Sequence, residues 1–98
     1  MTEKQQFEEK TEKKLTDWSH KIDELKTKAE HEKGEIKEKL QKQVKDLKER
    51  QESARKRLKE MSSSGEEKWK DMRGKVDQTM DDLKKAYEQT KDRFRKAG

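Results

Sequence analysis

One narrow apolar stripe keeps helical phase through this chain from end to end, and it limits the possible folds more than any other feature. It is carried by Phe7, Leu15, Trp18, Ile22, Leu25, Ala29, Ile36, Leu40, Val44, Leu47, Ala54, Leu58, Met61, Trp69, Met72, Val76, Met80, Leu83, Tyr87 and Phe94. The stripe can be walked in steps of three and four that average about 3.6 residues, the repeat of an α-helix. Thr11, Lys33, Gln51, Gly65 and Thr90 fill its weak positions. Residues 15–29 follow a heptad, whereas residues 29–54 come closer to an eleven-residue repeat. The first favours a left-handed supercoil and the second a right-handed one, so the spacing predicts a mixed register.

Composition sharpens this. Charged residues make up 52% of the 98 residues and hydrophobic residues 23%, against about 25% and about 45–50% in ordinary globular domains. Helices that each need one apolar residue per turn can associate on so little apolar surface. Disordered chains share such numbers, but here the apolar residues are periodic and proline is absent. Acid-to-base pairs one turn apart, among them Glu9–Lys13, Asp17–Lys21, Glu24–Lys28, Asp46–Arg50, Asp81–Lys85 and Asp92–Lys96, support helix on the solvent faces.

The one cluster of turn-type residues is Met61-Ser62-Ser63-Ser64-Gly65-Glu66-Glu67. Ser64 with Glu67 fits a capping box. The expectation is a single coiled-coil domain over 1–98: a helix over about 3–61, a turn at 62–65 and a helix over about 66–96. One continuous helix is the alternative, because the stripe keeps phase across the cluster. Gly34 has no other turn residue beside it and reads as a bend. A three-helix bundle split at Gly34 and Gly65 is disfavoured, since each bundle helix must face two neighbours and the stripe is narrow.

The chemistry-bearing residues are sparse. His20 and His31 share a helical face, with Glu24 and Glu35 one turn beyond each, but two exposed ligands do not close a metal shell. No metal site or cofactor is expected. There is no cysteine, no nucleophile–base set and no glycine-rich phosphate loop. Carboxylates on a solvated helix lack the desolvated cleft that acid–base catalysis needs, so an enzyme is not expected. The net charge is +5, with both signs interspersed. The basic clusters Arg50, Arg55, Lys56, Arg57, Lys59 and Lys91, Arg93, Arg95, Lys96 are diluted by Glu49, Glu52, Glu60, Glu88 and Asp92. They allow weak, salt-dependent nucleic-acid binding without a recognition motif. Met1-Thr2-Glu3-Lys4 opens directly into charge and no apolar run of leader or membrane-spanning length follows, so the expectation is a cytoplasmic protein.

Two segments carry a resemblance. One is Leu15-Thr16-Asp17-Trp18-Ser19-His20-Lys21-Ile22-Asp23-Glu24-Leu25-Lys26-Thr27-Lys28-Ala29; the other is Glu66-Glu67-Lys68-Trp69-Lys70-Asp71-Met72-Arg73-Gly74-Lys75-Val76, leading to Leu83, Tyr87 and Arg93-Phe94. They resemble a family of short bacterial coiled-coil stress-response proteins, grouped after a cyanobacterial member. Met80 departs from the pattern, which often has an aromatic there. The resemblance implies a bacterial, stress-associated protein and assigns no residue a chemical role.

The sequence therefore predicts an all-α, elongated coiled coil whose function is structural. The stripe residues Phe7, Leu15, Trp18, Ile22, Leu25, Ala29, Ile36, Leu40, Val44, Leu47, Leu58, Trp69, Met72, Val76, Met80, Leu83, Tyr87 and Phe94 form its association seam, and the expected partner is a second copy, with no small-molecule substrate. The competing reading is an amphipathic binder of lipid or granule surfaces, or a protectant that folds on binding.

Overall fold

The computed structural model describes residues 2–97, with side chains as far as Arg95. The chain is all-α: α1 spans Glu3–Glu30, α2 Gly34–Ser63 and α3 Trp69–Ala97. They form a rod of 50 × 19 × 17 Å. Its radius of gyration is 15.6 Å, against about 13 Å for a compact domain of this length. The helices run up, down and up. Lys4, at the start of α1, reaches the end of α2, while Phe7 meets Arg73 and Trp18 meets Tyr87, so α1 and α3 run parallel.

The all-α, elongated expectation holds, but the helix over 3–61 is two helices. The chain reverses at His31-Glu32-Lys33 into Gly34, whose φ of +62° is the one positive φ among the described residues. That left-handed conformation carries no Cβ penalty in glycine, so a single residue makes the bend without a longer loop. The narrow stripe suffices for a bundle because the three interfaces are unequal. Helix α2 packs closely on both neighbours, and α1 and α3 meet only sparingly. Each outer helix needs little more than one apolar face.

The break near 62–65 is present but displaced. Ser62 and Ser63 remain helical, and α3 begins at Trp69. Ser64 ends α2 and does not start α3: its N–H and its hydroxyl both donate to the Met61 carbonyl, at 3.1 and 2.6 Å. The expected Ser64–Glu67 box is therefore not formed. A capping box does form at α1, where the Gln5 N–H donates to Thr2 Oγ1 and the Thr2 N–H to Gln5 Oε1. Two orphan donors are thereby satisfied reciprocally.

Two apolar clusters fill the rod. Leu15, Ala54, Leu58, Met61, Trp69 and Val76 pack near the second turn, with Phe7, Met72 and Met80 against them. Ile22, Leu25, Val44, Leu47 and Leu83 pack toward the first turn, with Trp18, Ala86, Tyr87 and Phe94. The weak stripe positions sort into two kinds. Lys33 and Gly65 lie at the two turns, whereas Thr11, Gln51 and Thr90 are buried. Gln51 Nε2 donates to the Leu15 carbonyl at 3.0 Å and to Ser19 Oγ, tying α2 to α1. A buried amide partnered in this way helps fix register, since a slipped helix would leave it without its bonds.

Candidate interaction surface

The sparing contact between α1 and α3 leaves a groove along one side of the rod. Phe7, Trp18 and Met80 lie along it, each half-buried. Trp18 meets Tyr87 edge to face, with centroids 5.0 Å apart and planes at 69°, a favoured geometry for aromatic pairs. Lys21 Nζ stands 4.8 Å from the Trp18 centroid and 6.0 Å from that of Tyr87. The Arg73 guanidinium lies 5.2 Å from the Phe7 ring. These cations cover aromatic faces with their stems and keep their charge in water. Lys21 is one turn from Trp18, so the spacing held that contact; the Arg73–Phe7 contact depends on the helix pairing and has no local signal.

Charges of both signs rim the groove: Lys10, Lys14, Lys84 and Arg73 alternate with Asp17, Asp77 and Asp81. Burial, and secondarily the charge of Glu24, raises the Tyr87 phenol above its ordinary value. Arg50 is raised by its hydrogen bond and attraction to Asp46, with a smaller contribution from Asp82 on α3. Asp46–Arg50 and Asp81–Lys85 close to 2.9 and 3.1 Å, and Arg95 lies 3.8 Å from Asp92. Among the described residues every ion pair lies within one helix, and the Asp92–Lys96 pair lies outside the described side chains.

The seam residues are largely used inside the chain. Leu15, Ile22, Leu25, Ala29, Leu40, Val44, Leu47, Leu58, Trp69, Val76 and Leu83 are buried in the single-chain core. Phe7, Trp18, Met72, Met80, Tyr87 and Phe94 are half-buried. Ile36 is 43% exposed and is the one large apolar side chain left in solvent among the described residues. Sequence reading placed Thr11, Gln51 and Thr90 in phase with the stripe without assigning them a role. It missed Lys4, which donates to the Ser62 and Ser64 carbonyls at 3.1 and 2.8 Å.

The first basic cluster divides between two faces of α2. Arg55 and Lys59 line a shallow groove with Glu12, while Lys56 lies with Lys45, Lys48, Glu49 and Glu52. The second cluster's Lys96 lies outside the described side chains. His20 and His31 are both exposed, and no group of three or more His, Cys, Asp or Glu side chains among the described residues could hold a metal ion. No helix among the described residues is long and apolar enough to cross a membrane. No protein-family model, curated protein or solved structure matches the chain.

Proposed function

We propose that this chain is a non-enzymatic structural protein of the bacterial cytoplasm that works by self-association, as a scaffold under stress. The observation behind this reading is the half-buried aromatic row on the open α1–α3 side, where the bundle leaves apolar surface that a further helix could cover. The rim favours a protein over a polyanion. Asp17, Asp77 and Asp81 stand among its cations, and would repel nucleic acid or an anionic membrane. A second copy, with both signs interspersed on its surface, supplies matching charges. The two tryptophan blocks, through their resemblance to bacterial stress-response coiled coils, support the setting.

Sedimentation equilibrium across a concentration series tests it. The expected mass rises from 11.8 kDa to a multiple of that value. A strict monomer at every concentration, with or without molecular crowding, would sink the proposal.

A further inference from the structure

We infer that the chain associates by exchanging α1 with a second copy, the His31–Lys33 turn straightening so that α1 and α2 become one helix over 3–63. This rests on the self-association reading but not on the α1–α3 groove, which stays as open in the exchanged dimer as in the closed chain.

Four observations converge on that turn. Gly34 is held at φ +62°. Lys33, the N-cap residue of α2, gives no side-chain cap, so the first N–H groups of the helix lack the partner that Ser, Thr, Asp or Asn would supply. Straightening gives the N–H groups of residues 33–36 the carbonyls of residues 29–32. The stripe keeps phase through the turn, from Ala29 by Lys33 to Ile36 and Leu40, so nothing in the pattern opposes a continuous helix. Short hinge loops of this kind are where elements swap between copies.

Ile36 is the fourth observation. In an exchanged dimer every α1 contact with α2 and α3 is kept, now between copies, and the new surface is the crossing of the two long helices. The present pairing sets Lys4 against Ser62 and Leu15 against Gln51, and is symmetric about residue 33. Two straightened copies in that register cross at residue 33, with Ile36 of each opposite Glu30 of the other. Ile36, the one large apolar side chain exposed in the closed form among the described residues, then flanks the crossing. Lys33 meets its counterpart at the crossing, and that repulsion holds the closed monomer in place at low salt.

Light scattering with small-angle X-ray scattering on the full chain tests the inference through Gly34→Ala, Ile36→Lys and their combination. A Cβ at Gly34 meets nothing within 4 Å, so alanine there disfavours only the turned backbone. Gly34→Ala should tighten dimerisation by at least about tenfold. It should also lengthen the particle from near 50 Å to about 90 Å, the span of a helix over 3–63 at about 1.5 Å per residue. Adding Ile36→Lys should restore the monomer without loss of helix. Inserting two glycines after Lys33 should leave a folded monomer that no longer dimerises, which guards against a Gly34 variant that fails to fold. A Gly34→Ala chain of unchanged mass and length overturns the exchange. A dimer that ignores Gly34 and Ile36 but is lost on Trp18→Lys overturns the exchange and leaves self-association standing. Monomers throughout overturn both.

Discussion

The two turns of this rod do the same topological work with very different support. At the second, Ser64 closes the end of α2 on the Met61 carbonyl, and Lys4 of α1 donates to two of its last carbonyls. The Lys68 and Trp69 N–H groups both donate to the Gly65 carbonyl, and Met61 and Trp69 on either side are buried. A cation at a helix C-terminus also complements the helix dipole. At the first turn α2 starts without a side-chain cap, the backbone relies on one left-handed glycine, and Ile36 stands in solvent. A bend can thus be fastened by side chains from elsewhere in the fold, or merely permitted by one backbone angle. The second kind is the easier to undo.

The sharpest contrast should come from truncating an apolar residue at each turn. Met61→Ala, at 0% exposure, is expected to cost about 2–5 kcal/mol in urea denaturation. Ile36→Ala should stay within about 0.5 kcal/mol, and equal losses would dissolve the contrast. Two of the three glutamines of α2 come next. Gln51 is buried with partners on α1, whereas Gln43 Oε1, in the half nearer the first turn, is buried without one. Gln51→Ala should cost about 1–3 kcal/mol, while Gln43→Leu should stabilise by about 1 kcal/mol. If both destabilise, the half nearer the first turn is not the less satisfied one.

Lys4→Met removes the tether on the second turn and should cost about 0.3–1 kcal/mol. Hydrogen exchange should quicken across residues 62–69 and stay unchanged at 31–37. The smallest effect concerns Tyr87, in the cluster toward the first turn. Its phenol is raised above the ordinary 10 by burial and then by Glu24, so folding favours the protonated form. That contribution is intact below pH 10 and is lost as pH climbs through the raised folded value. Absorbance of the chain's single tyrosine should titrate above 10, and Glu24→Gln should bring it down part of the way. A midpoint at 10 would mean that the Trp18–Tyr87 contact does not shield the phenol.

Much of this fold was legible in the sequence because burial follows periodicity: Leu15, Ile22, Leu25, Val44, Leu47, Val76 and Leu83 all lie in the core. The first turn was not, for a physical reason. The sign of one φ at Gly34 reverses the chain, and neither the phase of the stripe nor the run of charges changes across it. Lys33 and Gly34, a weak stripe position beside a glycine, were the signal. Thr11, Gln51 and Thr90 were equally weak positions with the opposite meaning, and only helix packing separates the two. The Phe7–Arg73 contact, part of the groove, also depends on α1 lying parallel to α3, which no local pattern specifies.

The two tryptophans stand on either side of this division. Trp69 is buried in a cluster with Ala54, Leu58 and Met61 of α2 and Leu15 of α1, whereas Trp18 is half-buried on α1 between Lys21 and Tyr87. The chain therefore carries two optical reporters in different surroundings. If α1 departs, Trp18 loses Tyr87 and its emission moves to the red, while Trp69 keeps much of its shelter until the α2–α3 hairpin melts. Single-tryptophan variants would turn the order in which this rod comes apart into two separable colours.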